Sequence, residues 1–442
     1  MKFIPLFCLT LICGLSTSLT GQSTTTDKLD AFLDVLDENQ KAMGSISLYR
    51  GGQPFYQKSI GFADVETGTK ANEQTLYRIG SVSKIYTAVM IMQEVEQGRL
   101  SLSTTLDKFF PDLVGASKIS IEHLLKHQSG LYNITDSTDY VLYYTETQDR
   151  KAQLARINAH QLQFEPGAEM AYSNSNYILL TYILEDINQQ SFSELLHNRI
   201  CAPCQITQTG IGRGIDVSQG DARSYAYMQD WSVFPETHPS VAVGAGAVYS
   251  TASAVNQFLS CLYRTEELLN AATIEKMQDM DKGYGLGMFT IPFYEQEAIG
   301  HTGGIDGFQS NAFYFPEADM SIVYLSNGIN MPLNDILIGV LSIFFERPYE
   351  IPNFDQANTL DSDILASYVG NYSNPNFPLD INIFLDGDQL AAQATGQGAF
   401  NLEYKSAHTF VFTPAQIEIT FNPEKNEMYF KQAGLDLIFT KK

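Results

Sequence analysis

Apolar residues recur at helical spacing from Leu29 to Met43, and two short strand-like runs then flank Gly51-Gly52, so the pattern predicts a helix followed by a hairpin. A long stretch from Ser83 to about Tyr263 reads as mostly helical, with Val89, Ile91, Met92 and Val95 on a buried face that closes at Gln97-Gly98. Strands return at Gly285 to Ile291, Asn311 to Phe315 and Met320 to Leu325, followed by an apolar helix from Ile336 to Phe345. Strands at both ends with helices between them predict an α+β fold: one antiparallel sheet whose halves are distant in sequence, with a helical subdomain inserted.

The run Arg347 to Asn353 carries two prolines and reads as a linker. Beyond it, strand candidates recur at short spacing: Leu379 to Leu385, Gln389 to Ala394, Thr409 to Thr413, Ile417 to Phe421, Met428 to Lys431 and Leu435 to Phe439. Gly387, Gly396, Asn422-Pro423 and Gly434 fall between them, which predicts a small all-β barrel or sandwich.

Length and composition sharpen this. At 442 residues the chain exceeds what one hydrophobic core usually serves, and 44% apolar residues suffice for large cores. A net charge of −23 argues against nucleic acid and anionic membrane surfaces as partners, both of which need a basic face. The start of the chain, Lys2 followed by an apolar stretch from Phe3 to Leu15 and then small and polar residues to Gly21, reads as an export signal over residues 1–21. It is too short for a membrane span. The expectation is an exported protein, periplasmic or secreted, with no integral span in the mature chain.

Three cysteines follow that segment. Cys201-Ala-Pro-Cys204 has redox spacing but comes after a helical stretch, Phe192 to Ile200, so it predicts a structural loop, with a local disulfide between the two as an option. Cys261 falls in an apolar pattern with Phe258 and Leu262 and reads as core.

Ser81-Val-Ser-Lys84 is the chain's single Ser-x-x-Lys and opens a predicted helix. Positions three apart on a helix face the same way, so the Lys84 amine can reach the Ser81 hydroxyl. The positive helix end also favours an oxyanion at Ser81. A helix-capping serine beside a solvated lysine would show the same letters.

Tyr172-Ser-Asn174 follows the Glu165-Pro-Gly167 turn and precedes a buried helical run. The same letters at Tyr372-Ser-Asn374 lie in the opening of the β region and read as a loop. A phenol whose pKa is lowered by a neighbouring ammonium can exchange a proton with Ser81, and Asn174 can hold an amide substrate or Lys84. The third element is Gly300 to Gly307, with His301, Thr302, Gly303 and Gly304, where the glycines let a substrate lie against the backbone.

In this order the three elements resemble the serine penicillin-recognising superfamily: class C β-lactamases, D-Ala-D-Ala carboxypeptidases and their esterase and aminopeptidase relatives. Leu124 to Leu131, Gly244 to Thr251 and Tyr284 to Gly287 add to the likeness, which runs from about residue 30 to 345. The end of the chain is similar to the lipocalin-like domain often appended to such hydrolases. The resemblance implies a β-lactamase/transpeptidase-like domain over residues 22–350 and an all-β lipocalin-like domain over 351–442. It implies Ser81 as acylated nucleophile, Lys84 and Tyr172 sharing acid and base work, and Asn174 steadying the site. His301, Thr302 and Gly303 would form one wall, and the N–H groups of Ser81 and Gly304 the oxyanion hole.

One departure stands out. The β-lactamase pattern has Lys where this chain has His301, whose charge is expected to be lost above about pH 6.5. The expected chemistry is acyl transfer from an amide or ester through a Ser81 acyl-enzyme. A D-Ala-D-Ala carboxypeptidase or other D-peptidase ranks first, a small-molecule esterase or amidase second and a β-lactamase third. A binding or assembly protein that kept the fold and lost catalysis is the rival of another class. His123 and His127 have metal-ligand spacing but lack the zinc-protease pattern, and no phosphate or dinucleotide motif occurs, so neither metal nor cofactor is expected.

Overall fold

A six-stranded antiparallel sheet organises the first three quarters of the chain. Helix α1 (Thr25–Glu38) leads into strands β1 (Ala42–Arg50) and β2 (Gln53–Ile60), joined at Gly51-Gly52. The remaining strands come some 230 residues later: β3 (Phe289–Phe293), β4 (Gln296–Ile305), β5 (Phe308–Phe315) and β6 (Met320–Ile329). Their order across the sheet is β3-β4-β5-β6-β1-β2, so the two distant halves join where β6 pairs with β1. The computed structural model describes residues 24–354 and 362–442 apart from 376, 378, 388, 396–397, 413–414 and 433–434. The expected leader, Gly396 and Gly434 lie outside the described residues.

Alternation along β6 explains the layering. Ile322 and Tyr324 face one side, where they pack with Leu29, Phe32 and Leu36 of α1. Val323 and Leu325 face the other, against the helical subdomain. At the centre of that subdomain lies a helix over Ser83–Glu96 (α2), every residue of which from Ser83 to Glu94 is buried. A second helix, Asn174–Asn188 (α3), packs against it and is buried from Ser175 to Leu184. Helices apolar on all sides belong in an interior.

Several expected bounds shift. The first helix stops at Glu38 rather than Met43, because Gln40 takes a left-handed backbone (φ 51°) and Ala42 already pairs in the sheet. The strand expected from Gly285 begins only at Phe289, since Gly287 (φ 87°) breaks the extended run. Tyr372 is not in a loop: it lies in a strand, Gly370–Ser373, 2% exposed, with its hydroxyl donating to the Tyr368 carbonyl at 2.8 Å.

After a short helix, Ser362–Tyr368, the described residues from Gly370 onward form a nine-stranded antiparallel sheet. Its two edge strands, Phe400–Asn401 and Glu403–Ser406, are separated in the chain by Leu402 alone, so the sheet curls into a nearly closed barrel. Tyr368, Tyr372, Phe410, Phe421, Phe430 and Phe439 fill its interior. Lys41, just before β1, reaches it through an ion pair with Glu403 at 3.1 Å.

The cysteines correct one expectation. Cys204 bridges Cys261, not Cys201 (Cα–Cα 5.8 Å), tying the turn after Ile200 to the helix Ala252–Arg264. Cys201 instead points into the core, 1% exposed, and burial pushes its thiol up to about 11.

Candidate active site

Ser81 stands in a short helical turn, Gly80–Val82, at the mouth of α2. Gly80 has φ 48°, and a β-carbon there would fall 2.8 Å from the Gly304 nitrogen. Only glycine satisfies both demands, and it brings the Ser81 turn against the backbone of β4.

One turn into α2, Lys84 is fully buried, with its Nζ 2.9 Å from Ser81 Oγ, 2.8 Å from Asn174 Oδ1 and 2.7 Å from the Ala245 carbonyl. Burial, with no carboxylate partner, holds the amine well below the usual lysine range. Tyr172 arrives just before α3 and donates its hydroxyl to Ser81 Oγ at 2.7 Å. The residue is 39% exposed and lines the cavity, with its hydroxyl turned to Ser81. Desolvation raises the phenol above its ordinary value and the Ser81 hydrogen bond opposes that, so the expectation of a lowered tyrosine is overturned. Lys84, whose own amine is held below its usual range, does not lower it.

Asn174 is the first residue of α3. Its amide oxygen faces Lys84, and its nitrogen donates to Thr135 Oγ1 at 3.1 Å. His301, Thr302, Gly303 and Gly304 all lie on β4, which forms the facing wall. His301 is 2% exposed. Its Nδ1 sits against the Thr302 carbonyl, which can only accept, so Nδ1 carries the proton and Nε2 accepts from the Tyr284 hydroxyl at 2.7 Å. Burial, with the Lys84 site adding to it, pushes the imidazole down to about 3. His301 is thus neutral far below the pH 6.5 expected from an ordinary histidine.

Ser81, Tyr172 and the four β4 residues line a cavity of about 490 Å³ whose other walls are Met170, Gly283, Tyr284 and Phe289. Met170 and Phe289 carry no motif that would mark them. Tyr284 and Ala245 fall inside segments already noted as family-like, but sequence gave them no role. His127 also belongs to the site's support. Its Nδ1 accepts from the Ser173 N–H and the Asn176 amide, both at 3.1 Å, and its ring lies 4.3 Å from that of Tyr172. Among the described residues no group of His, Cys, Asp or Glu is placed to hold a metal ion, and no helix is long and apolar enough to cross a membrane.

A buried amine and a phenol flanking one serine hydroxyl, beside a glycine-lined strand edge, define a serine hydrolase. The sequence profile described as Beta-lactamase matches residues 29–335, and the chain belongs to that family. It is similar to penicillin-binding protein 4* of Bacillus subtilis, 24% identical over 427 residues that cover 89% of this chain and 93% of that protein. Protein flp of Staphylococcus aureus (strain MRSA252) is 27% identical over 301 residues, 64% of this chain and 59% of its own length. Among solved structures, the D-amino acid amidase of Ochrobactrum anthropi SV3, complexed with D-phenylalanine, superposes with a TM-score of 0.65 at 23% identity, covering 72% of this chain and 99% of that one. The octameric penicillin-binding protein homologue of Pyrococcus abyssi gives 0.67 at 22% identity and covers 93% and 99%. The barrel is included in that last match.

Proposed function

We propose that the protein hydrolyses amide or ester bonds through an acyl-enzyme on Ser81, with Lys84 as the base and Tyr172 as the acid. The observation that carries this reading is the placement of Ser81 Oγ between Lys84 Nζ at 2.9 Å and Tyr172 at 2.7 Å. A neutral amine has two N–H bonds and one lone pair. Asn174 Oδ1 and the Ala245 carbonyl can only accept and take the two N–H bonds, which leaves the lone pair for the Ser81 proton.

Attack then joins Ser81 Oγ to the substrate carbonyl carbon while the Ser81 proton passes to Lys84. The oxyanion lies between the N–H groups of Ser81 and Gly304, whose segments touch. Tyr172 protonates the departing nitrogen or oxygen and recovers its proton from Lys84. A water molecule next attacks the ester, and its proton returns to Ser81 through the same pair. D-configured amino-acid amides and peptides are the first substrates to try, a choice supported by likeness to the D-amino acid amidase. Small esters follow, then β-lactams. The Cys204–Cys261 bridge supports an exported enzyme.

The test is turnover of D-amino-acid p-nitroanilides and p-nitrophenyl esters by the protein and by Ser81→Ala, with mass mapping of a fluorophosphonate adduct. The reading expects the adduct on Ser81 and a loss of at least about 10³ in kcat for the variant. Full turnover by Ser81→Ala would refute it.

A further inference from the structure

The cavity offers no cation. None of its lining side chains is charged, and both nitrogens of His301 are committed, Nδ1 to the Thr302 carbonyl and Nε2 to the Tyr284 hydroxyl. The basic groups nearest in sequence to the lining residues are engaged elsewhere. Arg78 is buried against Glu236 and the Thr237 carbonyl. Lys282 donates to the Gly167 carbonyl at 2.8 Å and pairs with Asp281 at 3.7 Å. Lys84 is fully buried behind the lining, its Nζ held by Ser81 Oγ, Asn174 Oδ1 and the Ala245 carbonyl. The side chains that line it are apolar or neutral: Met170, Tyr172, Phe289, the largely buried Tyr284 and the Thr302 hydroxyl.

A carboxylate brought into such a space loses its hydration and gains no counter-charge. An aromatic or aliphatic group meets complementary surface. Resting on the Ser81 reading, we infer that the site selects acyl compounds without a carboxylate beside the scissile bond, with an apolar group against Tyr284 and Phe289. Amides and esters with neutral ends are therefore its substrates, and peptides whose scissile bond adjoins a free terminal carboxylate are not.

Boronic acids report on the pocket whether or not a good substrate is known, because they bond reversibly to the nucleophilic oxygen. The full chain is labelled on Ser81 with a fluorophosphonate in competition with phenylboronic acid or with 3-carboxyphenylboronic acid. The inference expects the neutral compound to protect at concentrations at least about tenfold lower, a difference of ~1.4 kcal/mol. Equal or better protection by the carboxylate, or protection by neither while labelling proceeds, overturns it. If Ser81 is not labelled at all, the proposed function falls first. In His301→Lys, which adds a cation at the wall, the preference should shrink or reverse. The comparison in the unaltered protein stands whether or not that variant folds.

Discussion

A methyl group added at Gly303 would collide with the Ile79 carbonyl and the Ser310 hydroxyl and come within 3.0 Å of the Ser81 nitrogen. At Gly304 it would meet only the Gln309 amide, at 3.7 Å. Gly303→Ala should therefore displace the strand from the oxyanion position and lower kcat/KM by about 10²-fold or more. Gly304→Ala should stay within about tenfold of the parent, and steady-state kinetics on one ester checks both. Residue types and spacings revealed Ser81, Lys84, Tyr172 and the glycine strand, because helix periodicity and a strand edge are local properties. Their charge states were not legible. The lowered Lys84 amine, the raised Tyr172 phenol and the neutral His301 all follow from burial, which no short motif encodes.

Among the elements, α2 carries Lys84 and follows directly on the Ser81 turn, and its position is fixed from several sides. Thr87 donates to the Gly244 carbonyl at 2.7 Å, Ser83 accepts from the Val248 N–H at 3.1 Å, and buried Glu94 pairs with Arg99 and Arg199. The Cys204–Cys261 bridge ties the chain leaving Ile200 to the helix Ala252–Arg264, 57 residues on. Closing a loop of that length should contribute about 4 kcal/mol by chain entropy. The double variant Cys204→Ser/Cys261→Ser should lose roughly 2–4 kcal/mol in urea unfolding while keeping its kcat, since neither sulfur lines the cavity. An unchanged midpoint would mean the thiols are not paired. Sequence spacing left Cys201 as an optional partner for Cys204, and the true partner was hidden because only the packing of the turn after Ile200 against a helix distant in sequence brings Cys261 close.

At the scale of the molecule, the site is a seam. The sheet is assembled from β1–β2 and β3–β6, and the helical insert folds back so that Ser81, Tyr172 and His301 meet beneath one opening. Strand runs at both ends of the chain made the sheet readable, as did the change of texture after Asn353 for the barrel. Which of two Tyr-Ser-Asn triplets enters the site was decided by the helix that follows Tyr172. Lys84 owes its lowered pKa to this whole arrangement, since the insert and the sheet together exclude water from it. A base whose folded pKa is depressed is present above that value and lost as pH falls through it. The most direct measurement is the pH dependence of the rate at which a fluorophosphonate labels Ser81. The account predicts one acid-side ionisation well below the usual lysine value, no further step near pH 6.5, and a plateau to at least about pH 9 as Tyr172 keeps its proton. A rate that climbs only near about pH 10, as an ordinary lysine loses its proton, would contradict it.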